Sequence, residues 1–133
     1  MRIEWAELCR YAEAGGGGLI IVGGNLDMAV APTLPTQIPV MLAVKIGGIN
    51  DLPSIDQITL RVVAPSGKVV MESRLDMAIE LRDEAVVPEG LKLNQSIVAG
   101  IMLTAEEHGV YRFSVESGDG SSYEVTIAVV AGT

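Results

Sequence analysis

The sequence predicts an all-β fold: a single antiparallel β-sandwich of about eight strands spanning residues 1–133. Three observations predict it. Apolar residues recur at every second position through most of the chain, which gives a strand one buried face and one solvated face. Stripes with a 3.6-residue period are not sustained anywhere. Glycine clusters and prolines interrupt the alternating runs at regular intervals, as turns between short strands require.

The first strand is expected around Ile3–Ala12, with Ile3, Trp5, Glu7, Cys9 and Tyr11 on one face. Ala14-Gly15-Gly16-Gly17-Gly18 divides it from a second run, Leu19–Val30, whose even positions Ile20, Val22, Leu26, Met28 and Val30 share a side. Gly23-Gly24 within that run reads as a bulge or a close approach of two backbones. Pro32, Pro35, Pro39 and Pro53 are assigned to loops or strand edges, because proline lacks the amide that a central ladder needs. Next come Ile38, Val40, Leu42, Val44 and Ile46, then Ile58, Leu60 and Val62. Ala64-Pro65-Ser66-Gly67-Lys68 is a compact turn, with proline suited to its second position and glycine to a later one.

Arg74–Arg82 alternates most cleanly, placing Leu75, Met77, Ile79 and Leu81 on one face against charges and Ala78 on the other. Leu91, Leu93, Ile97, Ile101 and Leu103 form a face that Gln95 and Ala99 weaken. The closing hairpin sets Tyr111, Phe113 and Val115 opposite Tyr123, Val125, Ile127 and Val129, joined by Ser117-Gly118-Asp119-Gly120-Ser121.

The segment Leu103–Phe113 narrows the architecture. A strand ends, a polar corner with at most a helical turn at Ala105–His108 follows, and a new strand starts with Gly109, Tyr111 and Phe113. Immunoglobulin-like sandwiches tie this corner with a tyrosine hydroxyl bonded to upstream backbone. Gly109, Tyr111 and Phe113 are therefore a structural corner, and the hydroxyl is expected to reach backbone near Leu103 or Ala105. Phe113 stands where the second disulfide cysteine of a true immunoglobulin domain would be, and no partner cysteine exists.

A wider resemblance covers most of the chain. Ala6-Glu7-Leu8-Cys9-Arg10-Tyr11-Ala12, the glycines after it, Leu19-Ile20-Ile21-Val22-Gly23-Gly24 and Leu34-Pro35 resemble a family of small uncharacterised bacterial proteins. Ala64-Pro65-Ser66-Gly67 and Gly109-Val110-Tyr111-Arg112-Phe113 fit the same family. The resemblance implies an immunoglobulin-like β-sandwich and assigns no activity, ligand or catalytic residue.

Composition limits the partners. Nine basic against seventeen acidic residues give a net charge of −8, and the cations are scattered singly. Nucleic acid and anionic membranes both need clustered Lys and Arg, so neither is expected as a partner. Hydrophobic residues reach 49% with a mean hydropathy of +0.40, supplied by small aliphatics because aromatics are only 4%. Such an excess also suits burial between subunits. The lone Cys9 rules out an internal disulfide and points to a reducing compartment. The amino terminus has no signal-peptide pattern and no apolar run reaches the ~20 residues of a membrane span, so a cytoplasmic location is expected.

No catalytic, cofactor-binding or metal residue is predicted, and no cofactor. Gly15–Gly18 lacks the Lys-Ser/Thr and following helix of a phosphate loop. His108, the sole histidine, reads as a solvated corner residue, and Cys9 as a small buried hydrophobe. One Cys and one His cannot build a four-ligand zinc site. Asp83, Glu84, Glu89 and Asp119 offer oxygens for calcium without EF-hand spacing, and solvated turns account for them better. Trp5 reads as a core plug, or as an exposed interface anchor near a terminal strand. The leading expectation is a non-enzymatic sandwich acting through protein contacts, as a homo-oligomer. Either Val40–Ile46 or the first strand would serve as its pairing edge. The alternatives are a structural or decoration module of a larger, phage-like particle, and a small hydrolase using Cys9 and His108 or loop carboxylates.

Overall fold

A computed structural model describes residues 2–15, 18–49, 54–79 and 93–132. Its ten strands are β1 (Arg2–Cys9), β2 (Tyr11–Gly15), β3 (Gly18–Val22), β4 (Met28–Val30), β5 (Thr36–Ile49), β6 (Ser54–Val63), β7 (Val69–Ile79), β8 (Leu93–Ala105), β9 (Gly109–Ser117) and β10 (Ser122–Val130). No helix occurs among the described residues, and Ala105–His108, where the sequence allows at most a helical turn, ends in a bend. The strands form a three-stranded sheet β1-β5-β8, a five-stranded sheet β4-β10-β9-β6-β7 and a two-stranded ribbon β2-β3. All pairings are antiparallel except β4 with β10, which is parallel.

The count exceeds eight because two expected strands are each broken in two. The chain bends at Arg10, so β1 stays on β5 while β2 leaves to pair with β3. The run from Leu19 is interrupted where Gly23 and Asn25 take φ of 63° and 53°, in the left-handed region that ends a strand. Gly23 and Gly24 therefore mark a break between β3 and β4, not a bulge within one strand.

The facing sides of the three- and five-stranded sheets enclose the main core. Leu42, Val44 and Ile46 from β5 meet Ile58 and Val62 from β6, Tyr111, Phe113 and Val115 from β9, and Ile127 and Val129 from β10. The alternation read in these four strands places the correct residues inside, except that Tyr123 near the start of β10 is exposed. In the closing hairpin Tyr111 pairs with Ile127, Phe113 with Val125 and Val115 with Tyr123. Ala64 and Gly67 close the first turn through Gly67 N to Ala64 O at 2.9 Å, with Gly67 at φ 91°. Pro39 lies inside β5 and not at a loop, but just beyond Met41, where the β1 ladder ends. There β5 has only β8 beside it, so proline's missing amide costs no central bond.

A second, smaller cluster lies on the outer side of the three-stranded sheet. Cys9, Ala12 and Ala43 are buried there, with Trp5, Leu19, Ile21, Met41 and Val98 packed around them. The β2–β3 ribbon is thus a third layer. A register shift between Ile3 and Trp5 makes this work: Ile3, Ala6 and Leu8 face the main core, while Trp5 and Cys9 face the ribbon. The expected grouping of Ile3 with Trp5 and Cys9 is corrected by that bulge.

Two other faces differ from expectation. In the Leu19–Val30 run the even positions Ile20 and Val22, at 56% exposure, and Val30, at 59%, are outside, while Leu26 and the odd positions Leu19, Ile21 and Ala29 pack inward. Both sides of that run are apolar, so alternation alone cannot choose the core side. Leu75 is 51% exposed although Met71 and Met77 on the same side pack against the core. Its strand is the edge of the wider sheet among the described residues. Leu81 and Leu91 lie outside the described residues.

Because the ribbon covers Cys9, native protein should react slowly with a thiol reagent at neutral pH. Ala12→Asp, which puts a charge beneath the ribbon, should raise the labelling rate about tenfold or more by loosening that layer. Stopped-flow or timed labelling with a chromogenic disulfide measures it.

Candidate functional site

The corner between β8 and β9 is held by its own residues. The Tyr111 ring is 1% exposed, and its hydroxyl donates to the Glu107 carbonyl at 2.8 Å while accepting from Glu107 N–H at 3.3 Å. The acceptor is therefore Glu107, four residues upstream, and not Leu103 or Ala105. Those two residues are the last inward-facing pair of β8, and the hydroxyl lies beyond the strand's end. Glu107 also accepts from Ser66 N–H through its carboxylate at 2.6 Å, tying the corner to the β6–β7 turn. Gly109 sits at φ 135°, and a Cβ there would stand 2.7 Å from Pro65 Cγ. Phe113 is fully buried in the main core.

His108 is more engaged than a solvated loop residue. Its Nε2 lies 2.8 Å from the Ala31 carbonyl, fastening the corner to the chain just after β4. Cys9 is buried under the ribbon, where its thiol donates to the Met41 carbonyl at 3.4 Å. Burial, and the negative charge of Glu7, push that thiol's pKa upward, which disfavours the thiolate. The two side chains belong to different layers and share no bonding partner. Among the described residues no group of three or more His, Cys, Asp or Glu is placed to hold a metal.

Asp83, Glu84 and Glu89 lie outside the described residues. Asp119 is spent on its own turn. Ser117 Oγ donates to its carboxylate, and Ser121 N–H does so at 2.9 Å. These bonds hold the Asp119 pKa down to about 2. Asp56 fastens the same turn from β6, accepting from Gly118 N–H at 3.0 Å. Trp5 is half-buried beside the ribbon cluster and lines a hollow with Glu7, Asp27 and Tyr123.

The geometry with binding capacity is on one side of the sandwich. β1 packs over β10 and β9, closing the two sheets on that flank. On the opposite flank β8 and β7 are, among the described residues, both terminal strands of their sheets. Between them lies a groove of about 240 Å³, lined by Val62, Val69, Met71, Ile101 and Leu103, with Lys68 among its walls. Met102 is 56% exposed beside it. Outward N–H and C=O groups of such an edge can pair with another extended backbone, and the groove can receive side chains. Val40–Ile46 cannot play this part: it lies in β5, which is paired with β1 on one side and β8 on the other. The sequence reading assigned no role to Gly100 or Met102. The available signal was a strand without charge, but which strand is terminal follows from long-range pairing.

An antiparallel sandwich with a tyrosine-tied corner defines an immunoglobulin-like domain. The family model described as "Family of unknown function (DUF6941)" matches residues 4–130, and the chain belongs to that family. Among solved structures, the chain is similar to the CARDB domain of the PF1109 protein from Pyrococcus furiosus, crystallised in complex with di-metal ions. That match has 11% identity and a TM-score of 0.44, and it covers 98% of this chain and 93% of that one. The solution structure of the same Pyrococcus furiosus domain matches at 11% identity and a TM-score of 0.39, covering 96% of this chain and 98% of that one. No curated protein matches the chain.

Two measurements check the corner and the turn. Tyr111→Phe should lower unfolding free energy by about 1 kcal/mol in a denaturant titration, because one hydroxyl serves two backbone groups. Asp119→Asn should be less stable than the natural protein at neutral pH. The folded-state pKa is lowered, so the contribution is present above the unfolded value of about 4 and is lost as pH falls from there toward about 2. Melting curves of the two proteins across that range should converge at the acid end.

Proposed function

We propose that this chain is a non-enzymatic protein-contact module whose working surface is the open flank of the sandwich. One observation carries the reading: β8 is a 13-residue terminal strand without a charged residue or proline, next to an apolar groove. Sheet edges of that kind take up extended segments by main-chain pairing, with pockets for alternate side chains supplying selectivity. The remaining features support the same reading. Cys9 and His108 both serve the fold, and the acidic balance disfavours phosphate backbones and anionic lipid. An unpaired cysteine within the protein suits a reducing, cytoplasmic setting.

The test uses two baits in extract from the native host, the natural protein and a Val70→Glu/Met102→Glu variant. Both positions are exposed, so the variant keeps the core intact. A protein retained by the first bait and lost from the second supports the reading. Retention by both, or by neither, overturns it.

A further inference from the structure

Terminal strands attract other strands, and natural sheets protect them with charges, prolines, bulges, shortness or covering segments. β4 has three residues, and β2 and β3 have five each. β1 carries Arg2, Glu4 and Glu7, and its outer edge is engaged where Ile3 N–H donates to Ser121 Oγ at 2.9 Å and Leu26 N–H to Leu8 O at 3.0 Å. β7 carries Glu72, Arg74 and Asp76. Among the described residues, β8 has none of these protections. Its pairing with β5 runs without a shift from Gln95 opposite Ile46 to Ala105 opposite Thr36, and no other described strand lies beside it.

We infer that β8 pairs antiparallel with β8 of a second copy, joining two three-stranded sheets into one continuous six-stranded sheet. The inference rests on the contact-module reading and names its partner. Charge leaves this edge open to a second copy. Two chains of net charge −8 repel over most surfaces, and the uncharged strand lets them meet without opposing carboxylates. Symmetry favours the second copy. Antiparallel pairing of a strand with itself is two-fold, so each outward donor meets an acceptor from the same strand of the partner. At about 3.3 Å per residue the strand offers roughly 40 Å of ladder.

Gly100 supplies the test. It lies next to the middle of the strand, and a Cβ there meets nothing within 4 Å. Gly100→Lys therefore leaves the single chain undisturbed but brings two ammonium groups together in a centred pairing. Light scattering and sedimentation of the natural protein should give twice the 14.0 kDa chain mass. Gly100→Lys should weaken the dimer at least about tenfold with circular dichroism unchanged, like charges at neighbouring positions of a strand pair being unfavourable. Hydrogen exchange read by NMR should show alternate β8 amides gaining protection as concentration rises. A natural protein that stays monomeric at ~1 mM, or a dimer indifferent to Gly100→Lys, overturns the inference. Monomeric protein whose bait still loses a partner on Val70→Glu/Met102→Glu leaves the contact-module reading standing; failure of both experiments removes both.

Discussion

The structure depends on β5 being buried on both faces and paired on both edges. Leu42, Val44 and Ile46 face the main core, while Met41 and Ala43 face the ribbon cluster. β1 and β8 take up the hydrogen bonds on either side. A strand in that position has no solvent side on which to place charge, which is why its sequence from Val40 to Val44 is wholly apolar. The two clusters are coupled through this one backbone. Displacing it would open both interiors at once.

The connections are held by short-range polar bonds that the core does not supply. Tyr111, Glu107 and Ser66 link the β8–β9 corner to the β6–β7 turn, and Pro65 packs against Gly109 at the same point. His108 extends the linkage to Ala31, and Asp56 performs the equivalent task at the opposite end by holding Gly118. Each of these side chains satisfies a backbone group that leaves a ladder at a strand end, where an unpaired donor or acceptor would be costly. The polar residues that looked like candidates for chemistry are mostly engaged in this way.

Much of the fold was legible in the residues because one rule, alternation, governs strands with a single buried face. The register of the closing hairpin, the inward sets of β5, β6 and β9, and both glycine turns follow from it. It failed where its premise fails. The bulge between Ile3 and Trp5 shifts the parity of β1. Leu19–Val30 is apolar on both sides, so parity carries no information there. Leu75 obeys alternation and is still exposed, because parity does not tell an edge strand from a central one. The open flank was the least legible part. Val40–Ile46 and Ile97–Leu103 look alike as sequences, and only the order of strands makes the first central and the second terminal.

The parallel pairing of β4 with β10 bears on how the chain is made. Met28 lies beside Ala128 and Val30 beside Val130, so the two partners are separated by 100 residues (128 − 28). At ~5–20 residues per second of synthesis, a nascent chain carries Met28–Val30 for roughly 5–20 seconds before its mate leaves the ribosome. Val129 and Ile127, two of the innermost side chains, arrive with that mate. The sandwich therefore closes only once β10 has emerged, and a chaperone that shields apolar segments has its clearest opportunity in that interval.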